Sequence, residues 1–344
     1  MNKASLNATI TKIRAMHGRM LTDEDYRILS SKRSLAEVAQ YLKEHPGFKE
    51  LFADIDVNTV HRGYIEELLR KHDFEIFTQL RDFQHLGGKH FYNCVSERND
   101  TEQLLSLITS IDRGEKQEFI NAVPVYALTQ SDLDFHKLTE CRTIDELADE
   151  LEHTEYAPLC AGIRRNTSGK TDILALETDF NTFYTKRLMA SIKKELSKSD
   201  AALLTESVKA GVNIRNFINA YRMKAYFNAS PEEIRRKMIP LSGGAADRRI
   251  EKLWECDSEE DMLRLMSKLP GARQAAADSR GFIETAVTRV KLKYARKLMR
   301  TQSMPAVYYA FLQLCEIQTS NIIHIIEGIR YGLEPDRIEA LITY

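Results

Sequence analysis

Ser168-Gly169-Lys170-Thr171 ends as a phosphate-binding P-loop ends, but that loop also needs a glycine five residues before Gly169, where Arg164 stands. Without a glycine-rich backbone to cradle phosphate oxygens, the segment reads as a polar loop ahead of a helix. The histidines contain no HExxH, and His85 and His90, five apart around Gly87-Gly88, suit no single helix face for metal binding. Cys94, Cys141, Cys160, Cys256 and Cys315 are scattered, odd in number and never spaced as CxxC, so neither a disulfide framework nor a zinc site is indicated. No Ser/His/Asp or Cys/His grouping stands out by spacing. No catalytic residue, cofactor site or metal ligand is therefore nominated, although a helical enzyme with an unrecognised pocket stays a third possibility.

Three acids recur in matching surroundings: Ile65-Glu66, Leu176-Glu177 and Ile283-Glu284. Carboxylates can pair for acid–base work, but one acid at the same place in each of three repeats fits hydrogen bonding or ion pairing at a joint between helices. Asn213 and Asn321, each followed nine residues later by an arginine, Arg222 and Arg330, read as fixed joints; Asn99 in the first repeat departs from that pattern. One charged feature stands apart. Arg289, Lys293, Arg296 and Arg300 follow the i, i+4, i+7, i+11 rhythm of a single helix face, with Lys291 and Lys297 beside it. Such a face is either a solvated surface or a place where an acidic protein surface or anionic lipid heads would dock.

The elements that hold these residues repeat three times. Ser34 with Glu37, Thr143 with Glu146 and Ser258 with Asp261 are one helix-start signal, a capping hydroxyl with an acid three residues on that reaches back to the cap amide. Apolar residues follow four and eight positions later, Val38 and Leu42, Leu147 and Leu151, Met262 and Met266, on what must be one buried face. The caps lie 109 and 115 residues apart. That period is too long for a solenoid and indicates tandem domains, placed at 1–120, 121–240 and 241–344. Further starts are Thr22 with Asp25, Thr129 with Asp132, Ser230-Pro231-Glu232-Glu233 and Glu334-Pro335-Asp336. Leu176, Phe180, Phe183, Tyr184, Leu188, Ile192 and Leu196 predict one helix of about 25 residues. Loops are expected at His45-Pro46-Gly47, Gly87-Gly88, Asn166–Gly169, Leu241–Gly244 and Pro270-Gly271. Strand-like alternation is not evident, so the chain reads as nearly all α.

At 344 residues, 43% hydrophobic and 29% charged, the chain can bury substantial cores. Its 49 basic and 50 acidic residues leave a net charge of −1, which removes the bulk pull of a general nucleic-acid binder. Met1-Asn2-Lys3-Ala4-Ser5-Leu6 lacks the apolar core of a signal peptide, and no stretch approaches the roughly 20 apolar residues of a membrane-spanning helix. A reducing cytosol is the expected setting.

The triplicated caps, Arg14-Ala15-Met16-His17-Gly18-Arg19-Met20-Leu21-Thr22 near the start and Glu316-Ile317-Gln318-Thr319-Ser320-Asn321-Ile322 near the end together resemble the family of the C subunit (the d subunit in eukaryotes) of V-type and A-type rotary ATPases. The resemblance implies an all-helical funnel of three similar domains around a pseudo-threefold axis with a central cavity. It implies one non-catalytic copy per complex on the cytoplasmic side of the membrane, monomeric when isolated, between the D and F subunits of the central stalk and the proteolipid ring. Membrane contact would come only through those partners, torque would pass to proton or sodium transport, and no cofactor is implied. The alternative is a freestanding helical scaffold for soluble proteins.

Overall fold

The computed structural model describes residues 3–83, 90–122, 131, 133–157, 159, 173–241, 249–256, 258–278, 283 and 285–344. Those residues are all α, with short 3-10 turns and no strand among them. The expected starts Thr129 with Asp132 and the loops at 87–88, 166–169 and 242–244 lie outside the described residues. The predicted long helix runs Ile173–Glu195.

All three repeated caps form. The hydroxyls of Ser34, Thr143 and Ser258 accept from the amides of Glu37, Glu146 and Asp261 at 3.2, 3.1 and 3.1 Å, opening helices Leu35–Glu44, Ile144–Leu151 and Glu259–Met266. The six apolar residues that follow are each 0% exposed. The reach-back differs from expectation: Glu37 and Glu146 accept from Arg33 and Arg142, one residue before the cap, at 3.0 and 2.6 Å. A complete box on the cap amide forms instead at Thr22–Asp25 and Ser230–Glu233.

A second triplication lies at the far ends of long helices. Helices Cys94–Arg113, Lys198–Phe227 and Met304–Arg330 are each followed by a left-handed residue, Gly114 (φ 74°), Asn228 (φ 46°) and Gly332 (φ 66°). The next residue donates back into the last turn, Glu115 to Ser110 O at 2.8 Å, Ala229 to Met223 O at 3.0 Å and Leu333 to Gly328 O at 2.9 Å. These bonds close carbonyls that a helix end leaves open, and the positive φ they require is most accessible to Gly and then Asn. Short helices Lys116–Ala122, Pro231–Arg236 and Pro335–Leu341 follow.

The chain gathers into two compact units, one formed by Met1–Leu86, Leu196–Arg222 and Gly244–Tyr344, the other by Gly87–Glu195 and Met223–Gly243. The first is organised by Met304–Arg330, which is buried over most of its surface and packs against Lys3–His17, Arg62–Phe83, Thr285–Met299 and Pro335–Leu341. Its Ile322, Ile325 and Ile326 complete one core with Tyr26, Leu29, Val38, Leu42, Phe52 and Ile65 from the other end of the sequence. Two polar clasps hold the same helix. Gln318 Oε1 accepts from Leu21 N at 2.8 Å, and buried Asn321 brackets Thr343, donating to its carbonyl at 2.7 Å and accepting from its amide at 3.0 Å. In the second unit, Leu104, Leu107 and Ile108 form a core with Phe135, Leu147, Leu151, Leu176 and Phe180. There Glu195 accepts from the amides of His90 and Phe91, and Arg187 bridges Glu155 at 2.8 Å and Glu97 at 3.4 Å.

Asp73 of Arg62–Phe83 bonds to Thr319 of the central helix. Burial pushes its carboxyl pKa up to about 7; the Thr319 bond and Arg70 oppose the shift, Glu316 adds to it, and the buried Cys315 thiol lies alongside. The folded state thus holds a proton that the unfolded chain releases near pH 4, and stability falls as pH rises from there through 7. Asp73→Asn should remove that slope: chemical denaturation at pH 8 should show a gain on the order of a few kcal/mol over wild type, shrinking toward pH 4. Leu151 (0% exposed) and Leu188 (3% exposed) are core positions, so Leu151→Asp or Leu188→Asp should cost at least about 4 kcal/mol and lower the melting temperature in a calorimetric scan.

Candidate partner-docking surface

The basic face lies on Thr285–Met299, with Arg300 one residue past its end. The helix forms because Ala286, Val290, Ala295 and Leu298 repeat on one side and are each 0–1% exposed, packed toward the central helix. That burial turns Lys293, Arg296, Lys297 and Arg300 outward, where all four are exposed, while Arg289 is partly buried and donates to Thr285 Oγ1 at 3.3 Å.

The face is not a row of bare cations. Arg296 Nη2 stands 3.6 Å from Asp23, Lys297 Nζ 3.1 Å from Glu206, and Lys291 Nζ 3.7 Å from Glu316, three acids brought in by three other helices. Lys293 donates to the carbonyl of Gly271 at 3.4 Å. Arg296 also acts on a neighbour: burial first, and then this guanidinium, lower the pKa of His17. Exposed pairs of this kind contribute little stability and are weakened by salt, so a partner carboxylate or phosphate can exchange with them.

The other residues singled out by spacing fare differently. Glu66 bridges Arg62 at 3.1 Å and Arg70 at 2.9 Å, and Arg62 also pairs with Glu327 of the central helix, an ion-paired joint between helices. Glu177 is exposed on its helix rather than seated in a joint, and Glu284 lies outside the described residues. Asn321 is the fixed joint described above. Its expected counterpart Asn213 is only partly buried, and the buried asparagine of that helix is Asn216 at 2% exposure. The segment Ser168–Thr171, with Arg164, lies outside the described residues.

Spacing missed two features. The Asp73 carboxyl gives no periodic signal, being the last of four polar residues between apolar Leu69 and Phe74. Exposed aromatic side chains at the helix ends, Tyr226 (75%), Phe227 (73%) and Tyr331 (71%), were legible only as apolar residues near a turn. Among the described residues no helix is long and apolar enough to cross a membrane, and no group of three His, Cys, Asp or Glu side chains is placed to hold a metal ion.

The family model described as ATP synthase (C/AC39) subunit matches residues 9–341. The chain is 22% identical to a protein of Thermococcus kodakarensis named as the C subunit of an A-type ATP synthase, over 96% of this chain and 88% of that one. Proteins of the same name are 25% identical in Methanosarcina mazei, over 71% of this chain and 65% of that one, and 22% identical in Halorubrum lacusprofundi, over 96% and 95%. With one family model spanning nearly every element described above, the chain belongs to the ATP synthase (C/AC39) subunit family.

Proposed function

We propose that this chain is the non-catalytic coupling subunit of a rotary V/A-type ATPase, joining the central stalk to the proteolipid ring and passing torque to proton or sodium translocation. The observation that carries this reading is the family match from residue 9 to 341 on a chain built of repeated, capped helices. The reading makes the repeats 1–120, 121–240 and 241–344 three helical domains around a pseudo-threefold axis, forming a funnel whose cavity receives the stalk. The triplicated caps and the three left-handed helix ends support that arrangement. The D and F subunits of the stalk and the ring are its partners, one copy serves each complex, the isolated chain is a monomer, and it lies on the cytoplasmic face, held to the membrane through those partners.

A coupling part works by stiffness and grip. It transmits torque only if its walls deform less than its contacts slip, and close-packed interiors resist deformation. The central helix, 27 residues and about 40 Å long, packs against helices from both ends of the chain and has polar clasps at Gln318 and Asn321. Grip is assigned in part to Arg289, Lys293, Arg296 and Arg300, docking on an acidic protein surface.

Purification of the endogenous complex in mild detergent tests the role. Catalytic ATPase subunits and proteolipid should accompany the chain; soluble proteins alone would mean a freestanding scaffold instead. Reversal of Arg289, Lys293 and Arg300 to glutamate should weaken partner affinity about tenfold or more at low salt, with the difference shrinking as salt rises. Unchanged affinity at low salt would remove this face from the interface.

A further inference from the structure

Seven large apolar side chains stand exposed among the described residues, and four of them, Tyr226, Phe227, Tyr331 and Leu333, flank the left-handed residues Asn228 and Gly332. The two helix ends are related by the repeat, but they are not alike. After Arg330 the left-handed residue comes two positions later; after Arg222 it comes six positions later. Measured from the matched arginines, the far end of the second-repeat helix therefore runs on by four residues, about one turn, and that added turn carries Tyr226-Phe227 outward at 75% and 73% exposure. Asn228, at φ 46°, is the one non-glycine residue with positive φ among the described residues, and it ends the extension.

The charge around the ring pair is one-sided. Between residues 223 and 237 stand Lys224, Arg235, Arg236 and Lys237 against Glu232 and Glu233. Arg235 and Arg236 are exposed, Arg236 Nε donating to the carbonyl of Glu232 at 3.4 Å, and Glu233 accepts from Ser230 N at 2.7 Å and Ser230 Oγ at 2.8 Å. Buried Ile234, at 1% exposure, seats the short helix Pro231–Arg236, which places the arginines eight to ten residues after the rings in sequence.

We propose that this aromatic knuckle, Tyr226-Phe227 with its basic flank, docks directly on an anionic phospholipid surface. Aromatic rings favour the headgroup boundary of a bilayer, and basic residues beside them are drawn by its negative surface potential. A stable protein interface buries about 800 Å² on each partner, and among the described residues of this segment no other large apolar side chain is exposed to widen the field. A bilayer requires only rings and cations. The proposal goes beyond the coupling role, which gives the chain membrane contact through its partners; this segment adds a direct one.

The test uses the isolated full-length chain and sedimentation with sucrose-loaded vesicles, either pure phosphatidylcholine or an equimolar mixture with phosphatidylglycerol, so its result does not depend on whether the chain couples stalk and ring. Wild type should sediment with the anionic vesicles and not with the neutral ones. Tyr226→Ser with Phe227→Ser should lower the partition about tenfold or more, Arg235→Glu with Arg236→Glu should do likewise, and Phe227→Trp should retain binding. Unchanged melting curves show that the surface variants fold. Wild type left in the supernatant with anionic vesicles, or the serine pair sedimenting as well as wild type, overturns the proposal. If the serine pair instead loses co-purification with ATPase subunits while wild type ignores vesicles, the rings fill a protein socket and the proposal is equally overturned.

Discussion

The first unit depends on one constraint: the helix Met304–Arg330 is apolar and buried over more than half of its girth and leaves only one polar edge to water. Its Tyr308, Phe311, Leu314, Ile317, Ile322 and Ile325 are all buried, while Gln313, Glu316, Ser320, His324 and Glu327 run along the opposite edge, where His324 is exposed and the others are partly so. A helix with so broad an apolar face is stable only when other elements cover it, and here the neighbours include helices from both ends of the chain. Its buried polar residues are spent on fixing register. Gln318 takes the amide of Leu21, Asn321 takes both backbone groups of Thr343, and Thr319 bonds to Asp73. Each such bond is worth about 1 kcal/mol net, but a buried group left without one costs more, so they select one arrangement among the many that apolar packing alone would allow.

The repeat is visible at both ends of its helical units. The starts use Ser or Thr in an extended conformation, and the far ends use Gly or Asn in the left-handed region. These are local solutions to the open amides and carbonyls of a helix, which is why they survive repetition with little other identity between the copies. Differences between copies then carry meaning, as at the added turn before Asn228.

Much of this was legible in the sequence because it is local. A capping hydroxyl, an acid and two apolar residues at four and eight positions determine a buried helix face without reference to anything distant, and all three such helices formed. The resemblance to the family rested on the ordered set of those signals, and the family model spans the same length. What depended on remote partners was not legible. Nothing near Arg296, Lys297 or Lys291 in sequence announces Asp23, Glu206 or Glu316. Asn213 and Asn216 are indistinguishable by type, and only packing decides which is buried. The acids at Glu37 and Glu146 reached one amide further than a capping box requires because the preceding backbone, at Arg33 and Arg142, offered a donor within range.

The core that joins Leu29, Val38 and Leu42 to Ile322 and Ile325 also sets an order of events during synthesis. The Leu21–Gln318 bond spans 297 residues, and at about 5–20 residues per second a ribosome needs roughly 15–60 s to deliver the second partner. Through that interval the first capped helices have their apolar faces made but not covered. A nascent chain of this kind must be shielded until its last long helix emerges, so the slow closing of a distant contact governs how much of it escapes aggregation in the cell.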